Sequence, residues 1–330
     1  MMNLKRMVRG LEADAAAREA VRLWEHDSGT LAFWRASTNF VYGIKNRGET
    51  YFLRFSHEED NDAGQIEAEL EFMQHLRNDG YAAVKPVASN RGELIEQVPT
   101  AHGIYYAVAF EEAKGIRLDR CKLAAADYGR WGVSLASLHR SSMTFEPKGA
   151  GRGSWKDAMA FISSVLRQHP NETDAIAEWV RLNDRLEKLP QTPGQYGHIH
   201  YDFERDNVFL DEATGEFTAI DFDDAMVHWF AMDVVSTLRD IADSGQEEAD
   251  SAAEAFLEGY RSVKELEEGQ LALAPYFERF SGLYGFARVL HALEDSDGVP
   301  DAPPWYEGLR TKLLRSLEKD REGFRRRATQ

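Results

Sequence analysis

Cysteine is almost missing from this chain: Cys121 stands alone among 330 residues. No internal disulfide can form, a disulfide-stapled secreted scaffold is excluded, and a reducing, cytoplasmic setting is expected. Long apolar runs are missing too. No stretch reaches the roughly eighteen residues that a membrane helix requires, and the charged opening, Met1-Met-Asn-Leu-Lys-Arg-Met7, carries no apolar signal core. Positive charge is scarce: 39 Lys and Arg stand against 56 Asp and Glu, a formal net charge of −17. Such a surface repels polyphosphate backbones, and no basic stripe offsets it, so neither a nucleic acid nor a membrane is expected as partner. The same field favours a cationic small molecule.

What is present is ordinary globular material, 43% hydrophobic and 29% charged, long enough for two lobes and a sizeable core. Residues 11–26 read as an Ala- and Glu-rich helix. Gly29–Ala36, Phe40–Lys45 and Glu49–Ser56 read as strands, the last two joined by an Asn46-Arg47-Gly48 turn. A helix over Asp60–Asn78 follows, with Ile66, Leu70, Met73 and Leu76 on one stripe. Strands around Glu93–Val98 and Ile104–Phe110 complete a small antiparallel sheet. Beyond Gly115 the pattern turns helical: Ala124–Arg140, Lys156–Gln168, Glu172–Leu189 and nearly all of the tail from Glu247. The expected fold class is α+β, with lobes over 1–112 and 113–330 and a ligand cleft between them.

The chemistry concentrates in His198-Ile-His-Tyr-Asp-Phe-Glu-Arg-Asp-Asn207 and the later Ile220-Asp-Phe222. Val208–Leu210 and Phe217–Ile220 read as a hairpin around a turn containing Gly215. Folding it at its centre brings Asn207 near Asp221, so that an amide oxygen and a carboxylate converge on one cation. Mg²⁺ takes one or two such protein ligands and completes its shell with phosphates and water. Asp202, one short loop away, is positioned to accept the proton of an attacking hydroxyl. His198, His200 and Asp202 also read as a transition-metal cluster, although no further His or Cys stands at ligand spacing. In the third strand Arg54 shares a face with Phe52 and Ser56, opposite Tyr51, Leu53 and Phe55. Glu69 falls inside the apolar stripe of the following helix, where a carboxylate needs a partner; Arg54 is the natural one.

His200, Asp202 and Asn207 with Ile220-Asp221-Phe222 resemble the catalytic loop and metal-binding strand of the aminoglycoside phosphotransferase/choline kinase superfamily. Weaker likenesses run along most of the chain. Leu53-Arg54-Phe55 resembles the strand carrying the phosphate-binding base, Glu67–Met73 the helix after it, Glu112-Ala-Lys-Gly115 the interlobe hinge and Leu135–His139 a helix of the second lobe. The resemblance implies a bilobal protein-kinase-like fold and an ATP- and Mg²⁺-dependent kinase acting on the hydroxyl of a small molecule. It implies Asp202 as catalytic base and Asn207 and Asp221 as metal ligands. Arg54 and Glu69 would serve the phosphates, and the hinge Phe110–Ala113, with Glu111 and Ala113, the adenine. Ser37, Thr38 and Asn39 offer amides and hydroxyls suited to phosphate, and equally read as plain turn residues. His200 and Asp233 are expected as braces.

Departures from the family pattern stand beside these likenesses. Arg54 replaces the usual Lys, Tyr201 replaces a common Gly, and no G-x-G-x-x-G loop or A-P-E segment of a protein kinase occurs. Asp157, Glu204, Asp223, Asp224, Trp155, Tyr201 and Trp229 are candidates for an acidic, aromatic-rimmed pocket for an amine-bearing alcohol; the aminoglycoside type is what the resemblance to the superfamily implies. Phe203–Phe209 also resembles the loop of bacterial homoserine kinases. Homoserine, choline-like and sugar acceptors stay open, as does a pseudokinase that only binds nucleotide.

Overall fold

The computed structural model describes residues 1–244 and 249–328. Six strands form its main sheet: β1 (Ala32–Ala36), β2 (Phe40–Asn46), β3 (Glu49–His57), β4 (Pro86–Val87), β5 (Glu96–Thr100) and β6 (Gly103–Glu111). Their order is β1-β2-β3-β6-β4, with β5 also paired to β6, and every pairing is antiparallel. Arg47 and Gly48, both at positive φ, close the β2–β3 hairpin with the backbone of a primed turn.

Alternation divides this sheet into two faces. Phe40, Tyr42, Leu53, Phe55, Ala107 and Ala109 pack on one side with helices α1 (Leu4–Gly10) and α2 (Ala15–Val21). Val41, Phe52, Arg54 and Phe110 line a cleft on the other. The helix expected over 11–26 is interrupted. Ala13 and Asp14 adopt left-handed φ of 49° and 52°, which leaves the shorter α2 behind them. Ahead of the break, Met2, Leu4 and Met7 bury an apolar stripe on the sheet, and Asn3 caps α1 through the Lys5 and Arg6 amides. Gly10 ends α1 so close to the sheet that a Cβ there would stand 2.2 Å from Phe40 Cζ.

Helix α3 (Ala63–Asn78), capped by Asp62, turns Ile66, Glu69, Leu70, Met73 and Leu76 inward. The rest of the chain is mostly helical, with α4 (Ala125–Ser142), α5 (Trp155–Gln168), α6 (Thr173–Glu187), α7 (Ala231–Asp243), α8 (Ala249–Arg261), α9 (Glu268–Leu271), α10 (Ala274–Ala292) and α11 (Tyr306–Ala328). The expected helical onset at Glu247 lies outside the described residues. Two small sheets interrupt the helices. Strands β7 (Ile116–Arg117), β9 (Val208–Asp211) and β10 (Glu216–Ala219) form one, while β8 (Tyr196–Ile199) pairs with β11 (Met226–Trp229). An antiparallel sheet in the first third and a helical remainder give the α+β class expected from the sequence.

The cores do not divide at residue 112. Ile66, Leu70 and Met73 of α3 belong to the large cluster centred on the helices, whereas Tyr306 and Leu313 of α11 join the smaller one on the sheet. Both cores therefore stitch the two regions together. Among the described residues no helix is long and apolar enough to cross a membrane.

Candidate active site

The loop between β8 and β9 is held from beneath by Asp233 of α7. This carboxylate is fully buried and accepts from the backbone N–H groups of His200 (2.9 Å) and Tyr201 (2.7 Å). It also lies 3.0 Å from Nε2 of the buried His139. His200 Nδ1 accepts from the Asp202 N–H at 3.3 Å, so its Nε2 carries the proton and donates it to the Ile220 carbonyl at 2.9 Å. With both ring nitrogens engaged, His200 joins the loop to the strand that bears Asp221 and leaves no lone pair for a metal. Tyr201 sits at φ 72°, a strained backbone for an aromatic residue and one that suits glycine. Its ring is held edge-on by Phe280 and Tyr284 of α10, with centroids 6.2 and 5.8 Å away.

Asp202 and Asn207 come together at the ends of this loop. Asn207 Nδ2 donates to the Asp202 carboxylate at 2.8 Å and to its carbonyl at 3.1 Å. Among the described residues, Asn207 Oδ1 is buried without a hydrogen-bond partner, which is costly unless a ligand completes it. The Asp202 carboxyl is pushed up to about 7, first by burial and then by the like charges of Glu204, Asp224, Asp206 and Asp223.

The hairpin register differs by one residue from the expected one. Val208 faces Ala219, which sets Asn207 beside Ile220, whose N–H donates to the Asn207 carbonyl at 2.9 Å. Asp221 follows at φ 64°, ψ 63°, leaving the strand in a left-handed turn that starts the short helix Phe222–Asp224. That turn, and not direct cross-strand opposition, sends its carboxylate into the cleft, where it meets Arg35 and lies 3.9 Å from Arg54. Burial and the neighbouring Asp223 carboxylate push the Asp221 carboxyl well up, while Arg35 and Arg54 pull the other way. The unsatisfied amide oxygen of Asn207 and the crowded carboxyl of Asp221, one residue beyond the Ile220 that pairs with Asn207, are oxygen donors of the kind a hard divalent cation takes. Among the described residues no group of three or more His, Cys, Asp or Glu is arranged to hold a metal, so His198, His200 and Asp202 do not make a transition-metal cluster.

Arg54 donates to both oxygens of Glu69, at 2.8 and 2.7 Å, from strand to helix through the buried side of the cleft. Its guanidinium lies 5.1 Å from the Phe110 ring centroid. The cleft itself holds about 200 Å³ and is walled by Trp34, Val41, Phe52, Phe110, Ile220 and Asp221. Glu111, Glu112 and Ala113 line it where β6 ends; the Glu111 side chain pairs with Lys85 Nζ at 2.6 Å.

Ser37, Thr38 and Asn39 are not brought to this cleft. The Ser37 N–H donates to the Asn39 carbonyl at 3.1 Å, Arg288 donates to Thr38 Oγ1 at 2.9 Å, and Asn39 Nδ2 donates to the Asp223 carboxylate at 2.5 Å. The β1–β2 turn is thereby tied to the segment after Asp221 and to α10. The aromatic-rimmed acceptor pocket does not assemble as a set either. Trp155 and Trp229 are buried in the helical core, and Glu204 pairs with Arg239. Asp157, Asp223 and Asp224 do line a separate cavity of about 570 Å³, together with Asp60, Tyr284 and Arg288. Asp157 also caps α5 there, and Asp224 pairs with Arg288 at 2.8 Å.

Sequence reasoning missed Arg35, Arg152 and Arg288. Arg152 donates to the carbonyls of Gln65, Asp223 and Ala225, joining α3 to the segment after Asp221. These partners lie 71 to 87 residues away in the chain, beyond the reach of any local pattern.

A family model described as the phosphotransferase enzyme family matches residues 33–276. The chain is 26% identical to the amicoumacin kinase of Bacillus subtilis (strain 168), over 87% of this chain and 86% of that one. It is 30% identical to the homoserine kinase of Agrobacterium fabrum (strain C58 / ATCC 33970), over 67% of each. The solved structure of an amicoumacin kinase in complex with AMP-PNP, Ca²⁺ and Ami shares its fold. That likeness has a TM-score of 0.76 at 20% identity, over 94% of this chain and 96% of that one.

Proposed function

The chain belongs to the phosphotransferase enzyme family and is a small-molecule kinase; from that premise we propose that it moves the γ-phosphate of MgATP onto a hydroxyl of an amine-bearing small molecule. The observation that carries this reading is the contact of Asp202 with Asn207, whose amide oxygen is left unsatisfied and whose carbonyl pairs with Ile220, the residue before Asp221. One amide serves two tasks. Its nitrogen steadies the Asp202 carboxylate and its oxygen is free for a cation. Asn207 and Asp221 would hold Mg²⁺, which when bound neutralises charge on the phosphates. Asp202, poised near neutrality, takes the proton of the attacking hydroxyl. Arg54, fixed by Glu69, faces the phosphates, and the adenine lies against Glu111–Ala113. We take residues 1–112 as the nucleotide lobe and 113–330 as the lobe that carries Asp202 and the acceptor site.

Two observations support an amine-bearing acceptor. Homoserine, named for one set of relatives, carries an amine and a hydroxyl together. Acidic residues Asp60, Asp157, Asp223 and Asp224 line the cavity of about 570 Å³, and the charges of Asp223 and Asp224 are felt at Asp202. The test is release of ADP from MgATP across a panel of amino-alcohols, aminoglycosides, homoserine, choline and sugars. Stimulation by amine-bearing alcohols is expected. Stimulation by neutral sugars alone overturns the acceptor class, and no stimulation by any hydroxyl compound speaks against transfer.

A further inference from the structure

Strand β1 contains an irregularity that changes what the cleft presents. Its register on β2 runs Ala32 to Gly43 and Phe33 to Tyr42, then skips a residue, so that Arg35 and not Trp34 faces Val41. Trp34 is the extra residue of a β-bulge, a device that re-aims side chains beside functional sites. Val41 in turn faces Arg54, and Arg54 faces Val108. Directly paired residues share a sheet face. The bulge therefore sets Arg35 in the same cross-strand row as Arg54, on the cleft side. Regular pairing would place Arg35 opposite Phe40, on the face packed into the apolar core.

The two arginines of this row have unequal freedom. Arg54 is 9% exposed and held by both oxygens of Glu69, which is fully buried. Arg35 is 40% exposed, and its ion pair is with Asp221. Each oxygen of Asp221 thus faces one arginine, Arg35 at Oδ2 and Arg54 at Oδ1. A half-exposed ion pair contributes little and exchanges readily, whereas a buried bidentate pair does not. If Asp221 engages a cation, Arg35 loses the carboxylate it neutralises at the moment phosphate oxygens arrive beside it. A guanidinium on such oxygens forms strong charge-assisted hydrogen bonds.

We propose that Arg35 is a second phosphate-binding residue of this cleft, one that leaves the Asp221 carboxylate for the outer phosphates of the nucleotide when MgATP binds. The proposal rests on the reading of this cleft as the nucleotide site. It gives the β1 bulge a purpose, and it fills the role that Ser37–Asn39 cannot take while they hold Asp223 and Arg288.

The experiment is calorimetric titration of wild type, Arg35→Gln and Arg35→Lys with MgAMP-PNP and with AMP, which lacks the outer phosphates, alongside the unfolding midpoint of each unliganded chain. Arg35→Gln should bind MgAMP-PNP about tenfold or more weaker, as loss of a charged hydrogen-bond partner predicts. AMP affinity and the unfolding midpoint should stay as in wild type, and Arg35→Lys should recover part of the MgAMP-PNP affinity. Unchanged or tighter MgAMP-PNP binding by Arg35→Gln overturns the proposal, because Arg35 would then only compete with the cation for Asp221. A parallel loss of AMP affinity and thermal stability also overturns it, since the residue would be structural. Wild type that binds neither ligand removes the nucleotide-site reading itself, and the proposal with it.

Discussion

Removing Glu69 separates what its ion pair does for stability from what it does for catalysis. Glu69→Ala deletes two charge-assisted hydrogen bonds and strands a guanidinium that is only 9% exposed. Breaking a buried pair from one side typically costs about 3–5 kcal/mol. Here Asp221, 3.9 Å away, offers Arg54 another carboxylate, so the low end, about 3 kcal/mol, is expected. In a chain of this size that lowers the melting temperature by roughly 5 °C or more. Turnover should nearly vanish, because Arg54 would settle on a carboxylate assigned to the cation. The companion variant Arg54→Met/Glu69→Leu replaces both charges with apolar groups of similar volume. Its stability should return to within about 1 kcal/mol of wild type, and its use of ATP should not return. Chemical denaturation and steady-state turnover on both variants decide the matter. A loss below about 1 kcal/mol for Glu69→Ala, the level of a surface pair, or a double variant that still turns over ATP, would refute the reasoning.

Asp202→Asn keeps shape and the contact with Asn207 but cannot take a proton; kcat should fall roughly a hundredfold or more with MgATP affinity nearly unchanged, as steady-state kinetics and titration would reveal. Asp221→Ala should abolish transfer and the magnesium dependence of nucleotide affinity while the circular dichroism spectrum stays native; near-normal turnover would remove Asp221 from the cation site. His228 is buried among Trp229, Phe277 and Phe280, and burial pushes its imidazole from 6.5 down to about 3. Below its unfolded value only the unfolded chain takes up this proton, so acidification costs stability. Between about pH 7.5 and pH 5.5, wild type should lose about 1.4 kcal/mol more than His228→Phe. Equal losses would mean that His228 is hydrated or charged in the native state.

The parts of this fold that sequence reveals are those set by local period. Alternation in β3 separated Arg54 from Leu53 and Phe55, and the 3.6-residue stripe of α3 turned Glu69 inward, so both ends of their ion pair were legible in the sequence. The spacing of Asp202 and Asn207 was equally legible, because a short loop leaves its ends little freedom. What failed was backbone that departs from a regular period. The left-handed residues Ala13 and Asp14 cut an apparently continuous helix, and Met2, Leu4 and Met7 gave too short a stripe to announce α1. The bulge at Trp34, which sets Arg35 on the cleft face, carries no period to announce it, and the register that pairs Asn207 with Ile220 leaves Asp221 beyond the strand in a left-handed turn. No glycine marks either position in the sequence. The partners of Thr38, Asn39 and Arg152 are tertiary, and composition near them carries no trace of where they lie.

The central claim, transfer of a phosphoryl group to a hydroxyl through Asp202, is tested most directly by following both products at once. Phosphorus NMR of wild type with MgATP and an acceptor from the screen should show ADP and a new phosphomonoester growing in equal amounts. Asp202→Asn should slow both together. ADP accumulating with inorganic phosphate and no phosphomonoester, or a phosphomonoester formed as fast by Asp202→Asn as by wild type, would contradict the account.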